Sequence, residues 1–119
     1  LATIFQSKTR GRLVEEIQLE TLDAIAARIE FNRIDFIKVD IEGAELKMLE
    51  GGRNTLKRFR PHVMVEMNEV TFNDAGYSTK DILIYFDELG YKPFCISTSG
   101  TLVPATFNNP FINLIFIPQ

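Results

Sequence analysis

Two short clusters of this chain carry the side chains best suited to chemistry, "IKVDIEGAE" and "VEMNE". The first supplies Lys38, Asp40, Glu42 and Glu45 around Gly43; the second supplies Glu66, Asn68 and Glu69. Carboxylates in such numbers can take a proton, accept hydrogen bonds from a ligand, or hold a hard cation. Each cluster ends an apolar run, Ile34–Val39 in one case and His62–Met67 in the other. Alternate residues of a strand share a face, so Lys38 pairs with Asp40 in direction, and Glu66 with Asn68. If the two strands are adjacent and parallel, these groups meet in one crevice beyond the carboxyl ends, where open α/β sheets bind ligands.

Each residue also has a plainer use. Lys38 lies inside an apolar strand, where an unpaired buried charge is very costly, so Glu66 or Asp40 is its expected partner. Asp40 precedes a helix and is either its cap or a ligand contact. Glu42 is either a first-turn acid serving the helix dipole or part of the site. Glu45 reads as a solvated or helix-pairing residue; Glu45 and Lys47 lack helix-pair spacing, and Glu42 and Glu45 repel mildly. Gly43 either eases the turn or lets a ligand approach the backbone at the helix start. His62 is the one histidine and sits at the far end of its strand, so its role reads as structural and no zinc site of the usual kind is expected. A divalent ion on Asp40, Glu42 and Glu66 is a weaker alternative, and the favoured expectation is no metal. Phe107, Phe111 and Phe116 read as edge-strand core with its covering loop, or as a cover for an acceptor pocket.

The elements that must position these groups alternate. Arg12–Glu20 reads as an exposed or edge strand. Thr21 is the expected N-cap of a helix from Leu22 to about Ile29, with Asp23 in its first turn. Ile34–Val39 is nearly continuous in apolar residues and predicts a strand covered on both faces. A helix opens near Glu42 or Gly43, Gly51-Gly52 ends or bends it, and Pro61 stops a further turn over Asn54–Phe59. The second central strand is His62–Met67, followed by a polar loop over Asn68–Tyr77. Ser78 and Asp81 have the spacing of a capping box for a helix over Thr79–Leu89, with Gly90 at its end. Strands follow at Tyr91–Ile96 and Asn113–Ile117; no helix fits between them, so they are expected to be antiparallel neighbours. The predicted class is α/β, with a mostly parallel sheet and an antiparallel last strand.

Composition narrows the functions. With 119 residues the chain is a single domain, 1–119, able to bury roughly two thirds of its unfolded surface. A net charge of −3 argues against binding nucleic acid by neutralising phosphates. Cys95 is the sole cysteine, which leaves no intrachain disulfide and no thiolate cluster; "KPFCIS" reads as a strand with a core thiol. No run is long enough to span a membrane and no signal peptide is visible, so a cytoplasmic location without membrane partners is expected.

In order, "LETLDAIAA", "IDFIKVDIEGAELKMLEGGRNTL" and "RPHVMVEMNE" resemble the FkbM-type family of S-adenosylmethionine-dependent methyltransferases. "LGYKPFCI" and "NLIFIP" fit the same pattern further on. The resemblance implies a Rossmann-like class I methyltransferase fold whose last strand inserts antiparallel. It implies S-adenosylmethionine as cofactor and the hydroxyl of a small molecule or sugar as acceptor. It also implies roles: Asp40, Glu42 and Gly43 for the cofactor, Asp40 and Glu66 for catalysis, Glu66 as a base, and Asn68 and Lys38 for the acceptor. Such enzymes cradle the cofactor with a glycine-rich loop, and no glycine here forms G-x-G at a strand-to-helix junction. Each βα unit needs about 30 residues, so the expectation is a C-terminal half lacking roughly 60 residues or more, inactive alone. The competing expectation is a non-enzymatic α/β interaction module that forms a homodimer through exposed sheet edges.

Overall fold

The computed structural model describes residues 6–9, 12–16, 20–107 and 111–119, with the backbone alone for 6–9, 12–16 and 111. The hairpin β1 (Gln6–Thr9) and β2 (Arg12–Glu16) forms a separate antiparallel sheet. Residues 17–19 of the expected first strand lie outside the described residues.

Helix α1 (Leu22–Ile29) starts where the sequence placed it: Thr21 Oγ1 accepts from Ala24 N–H at 3.0 Å. Asp23 does more than complement its own helix. It reaches across to α3 (Arg53–Phe59) and accepts from Asn54 N–H, Thr55 N–H and the Thr55 hydroxyl at 3.2, 2.8 and 2.7 Å. Gly51 and Gly52 separate α2 (Glu45–Glu50) from α3. Gly52 lies close under α1: a Cβ there would lie 2.7 Å from Leu22 Cδ2 and 3.2 Å from Leu22 Cβ.

Between β4 (His62–Asn68) and α5 (Thr79–Glu88) the expected polar loop folds instead into a short helix, α4 (Glu69–Asp74). The reason is twofold. Asn68 Oδ1 caps it by accepting from Val70 and Thr71 N–H, and Phe72 is fully buried and stacked on Tyr77 at 4.9 Å. The Ser78–Asp81 capping box forms as expected at the start of α5.

The main sheet has the order β3-β4-β7-β5-β6, with β3 Phe36–Val39, β5 Tyr91–Ile96, β6 Leu102–Pro104 and β7 Phe111–Pro118. Only β3 and β4 pair in parallel; β7 is antiparallel to both β4 and β5, and β6 to β5. The expectation of a mostly parallel sheet therefore fails at the level of bonding. The expected antiparallel pairing of β5 with β7 is present, but β7 inserts between β4 and β5 and so keeps those two co-directional strands apart. The short β6, which the sequence reading did not include, adds a further antiparallel pair.

Alternation along β4 sends Val63, Val65 and Met67 into the core and leaves His62 and Glu66 exposed. The core joins these to Val39, Leu114 and Phe116 of the sheet and to Leu49, Leu56, Phe72, Ile82 and Phe86 of α2 to α5. Phe86 stacks on Phe116 with centroids 3.8 Å apart. Because α2 to α5 all bury residues in this one cluster, β3 is not covered on both faces as its apolar run suggested: Val39 is buried, whereas Phe36 is 51% exposed. Cys95 is half-buried and packs against the core, so the expected core thiol is met only in part. No helix among the described residues is long and apolar enough to cross a membrane.

Candidate functional site

The parallel register pairs Lys38 with Met64 and Val39 with Val65. One step further sets Asp40 beside Glu66, at the carboxyl ends of both strands. Antiparallel pairing places Asn113 of β7 on the other side of Glu66. Asp40, Glu66 and Asn113 thus form a row across three strands on the sheet face away from the helical core, and all three are exposed. The row behind it, Lys38, Met64, Ile115 and Phe94, is largely apolar, with Ile115 only 8% exposed.

The two carboxyls feel each other strongly. A hydrogen bond to Asp40, and then Asp40's negative charge, raise Glu66 above the usual carboxylate value; Glu45 adds to the rise and Lys38 opposes it weakly. This is the behaviour of like charges sharing a site, where one group holds its proton more tightly. Lys38 itself is exposed and makes no ion pair with Glu66 or Asp40 among the described residues. The expectation of a buried, paired lysine fails because β3 is an edge strand and its outward face is open to solvent.

Beyond Asp40 the chain makes a tight turn, Ile41–Ala44, closed by Ala44 N–H to Ile41 O at 3.4 Å. Glu42 and Gly43 both have positive φ, 47° and 106°, the pattern of a type I′ turn. Gly43 needs this freedom, and a Cβ there would also meet the Thr71 carbonyl at 3.3 Å. Helix α2 consequently starts at Glu45, later than Glu42 or Gly43, and its N-cap Ala44 makes no side-chain bond. Asp40 therefore does not cap it. Glu42 sits exposed at the tip of the turn, outside the helix.

Glu45 is the largest departure. It is not solvated but 2% exposed, and it accepts from Ile41 N–H at 3.0 Å and Gly43 N–H at 2.7 Å. The Tyr77 hydroxyl donates to Gly43 O at 2.9 Å and accepts from Leu46 N–H at 3.4 Å. Burial pushes the Tyr77 phenol up to about 12. The amides of Ile41 and Gly43 in the turn, and of Leu46 at the helix start, are thus used by the chain itself. An acid reaching back to preceding N–H groups is the trace of this in sequence; Tyr77, more than thirty residues away, leaves none.

Asn68 is half-buried and its Oδ1 is committed to α4, while Glu69 is exposed in the first turn of that helix. His62 lies at the entering end of β4, remote from the acid pair. Phe116 is core and Phe107 is 53% exposed; the Phe111 side chain lies outside the described residues. Among the described residues no three His, Cys, Asp or Glu side chains group as metal ligands, so Asp40, Glu42 and Glu66 do not converge as a set. A concavity of about 360 Å³ lies elsewhere, lined by Ala26, Ala27, Glu30, Phe31, Asn32 and Arg58 near the entering ends of β3 and β4.

No curated protein and no solved structure matches the chain. A family model described as the methyltransferase FkbM domain matches residues 2–93. That span contains β3, the turn, Glu45, β4 and Tyr77. With both acid clusters and the residues that hold them inside a match of this extent, the chain belongs to the FkbM methyltransferase domain family.

Proposed function

We propose that the chain carries one wall of an S-adenosylmethionine-dependent O-methyltransferase site, the wall built from the carboxyl ends of β3 and β4. Family membership supports methyl transfer. The observation that carries the finer reading is the Asp40–Glu66 pair, exposed at adjacent strand ends with Glu66 raised by its neighbour. A carboxylate tuned upward is a better general base near neutral pH.

The donor set fits the cofactor on its charge. S-adenosylmethionine, when bound, supplies an electrophilic methyl group on a sulfonium. An exposed pair of acids suits that sulfonium and the ammonium of the methionine moiety. In this reading Asp40 orients the cofactor and the acceptor, and Glu42 and Gly43 border the cofactor. Gly43 shapes the turn, since its backbone groups are already bonded to Glu45 and Tyr77. Glu66 takes the proton of the acceptor hydroxyl at a carboxylate oxygen, with Asn68 and Lys38 contacting a small molecule or sugar. Lys38, beside the pair but unbonded, is available to an acceptor oxygen.

The strand order β3-β4-β7-β5, with β7 reversed, supports a Rossmann-like class I arrangement. In it this chain is the C-terminal half of the domain, and the glycine-rich cofactor grip belongs to strands pairing on the outer edge of β3. The same edge supports a second reading, an interaction module that forms a homodimer through β3 with Phe36 exposed beside it.

Calorimetric titration with S-adenosylmethionine tests the first reading, on this chain and on the longest natural polypeptide that contains it. No heat of binding in either would end it. In a protein that transfers methyl groups, Glu66→Gln should lower kcat by about 10²–10⁴-fold while cofactor affinity holds. Unchanged turnover would remove Glu66 as the base.

A further inference from the structure

We propose that Glu45 and Tyr77 are positioning residues, which fix the Ile41–Ala44 turn and through it hold Asp40 beside Glu66. Their functional meaning rests on the methyl-transfer reading above, but the mechanical claim does not.

Three observations converge. The turn is strained: Glu42 occupies the left-handed region without being glycine, where its Cβ crowds the backbone. Its own closing bond is long, at 3.4 Å, and cannot by itself hold that conformation. The shorter bonds all come from outside the turn, from Glu45 at 2.7 and 3.0 Å and from Tyr77 at 2.9 Å. Glu45 binds the turn from the α2 side, and Tyr77 ties it to the segment between α4 and α5. Tyr77 in turn stacks on buried Phe72, so this tie is anchored in the core. Asp40 is the residue immediately before the clamped segment, and it bonds to no group of the turn. Its place relative to Glu66 is therefore set by the strand on one side and by this clamp on the other. A side chain 2% exposed that spends both oxygens on two turn amides is better suited to fixing a conformation than to contacting a ligand.

The test needs neither cofactor nor turnover. Amide hydrogen exchange would be followed by NMR, with Val63 and Val65 as core controls. Glu45→Gln replaces one acceptor oxygen by a donor. Exchange at Ile41 or Gly43 should then quicken at least about tenfold while the control amides hold. Tyr77→Phe removes the bond to Gly43 O without changing any charge. The groups acting on Glu66 are Asp40, Glu45 and Lys38, all still present in that variant. Its Glu66 carboxyl titration should nevertheless move toward the ordinary value of 4.5 as Asp40 drifts away. In a form that transfers methyl groups, Tyr77→Phe should lower kcat more than it alters KM. Unchanged Ile41 and Gly43 exchange in Glu45→Gln, together with an unchanged Glu66 titration in Tyr77→Phe, would overturn the proposal. If both respond but no form binds S-adenosylmethionine, the clamp stands and the enzyme reading falls.

Discussion

Asp23 offers the sharpest quantitative check on how the chain is held together. One carboxylate, in the first turn of α1, accepts three hydrogen bonds from the start of α3. Replacing it by alanine removes the side-chain cap of α3, since the N-cap position itself is Gly52. Loss of a cap costs about 1 kcal/mol. It also strands the Thr55 hydroxyl, whose residue is 3% exposed, and an unsatisfied buried donor costs a further 1–3 kcal/mol or so. The sum is about 2–4 kcal/mol, or a drop in Tm on the order of 10 °C for a domain of this size.

Urea unfolding of four proteins would measure it: wild type, Asp23→Ala, Thr55→Val and the double variant. The two sites share one interaction, so a coupling of about 1 kcal/mol is expected between them. Asp23→Asn keeps an acceptor oxygen and should cost about half as much as Asp23→Ala or less. A loss under about 0.5 kcal/mol for Asp23→Ala, or strictly additive single variants, would refute the reasoning. Water would then be replacing the carboxylate at no net cost, and α1 would be held to α3 by packing alone.

Asp40→Asn should bring the Glu66 titration down toward 4.5, read from its carboxyl carbon shift. Since the folded value of Glu66 is raised above 4.5, its contribution to stability is present below that pH and is lost as pH rises through the folded value; Asp40→Asn should flatten that fall in urea midpoints measured from pH 4 upward. Gly52→Ala drives a Cβ to within 2.7 Å of Leu22 Cδ2 and should cost about 1–2 kcal/mol, with the Leu22 methyl resonances shifted; a neutral result would mean that α1 gives way freely. Phe36→Glu should abolish any self-association seen by sedimentation, and a dimer that persists unchanged would exclude the β3 edge as its interface.

What could be read from the sequence was local. Thr21 with Ala24, and Ser78 with Asp81, act within one helical turn, so the cap chemistry alone placed α1 and α5. The glycine pair at 51 and 52 marked a break for the same reason. The two acid clusters could be found because strand alternation and strand ends are also local properties. The departures depend on strand neighbours, turn geometry and packing. Lys38 is solvated because β3 has one neighbour among the described strands and its outward face is uncovered, which no property of "FIKV" encodes. Glu45 has the sequence surroundings of a surface acid, and becomes buried because the preceding turn folds its amides back onto it. Asn68–Tyr77 looked like loop because the apolar signal of α4 reduces to Phe72, whose burial depends on Tyr77 and the sheet.

Topology explains why the acids meet where they do and nowhere else. Side chains at equal levels on neighbouring strands meet across the sheet, but two carboxyl ends meet only where neighbours run the same way. Among the described strands that happens once, at β3–β4. At the next pairing β7 runs backwards, so the position beside Glu66 is filled from mid-strand by Asn113. An amide there can donate to a carboxylate without adding charge, which suits it to stand beside Glu66 while Asp40 raises the proton affinity from the other side. The row thus runs from Asn113 through Glu66 to Asp40 and stops at the edge of β3. A further strand paired in parallel on that edge would bring its own carboxyl end level with Asp40. Any group that grips a ligand from that direction would face the acid pair across Asp40, which puts Asp40 between that group and Glu66. On the proposed methyl-transfer reading, loss of Asp40 should therefore weaken the handling of cofactor and acceptor alike, and loss of Glu66 only that of the acceptor that gives up a proton.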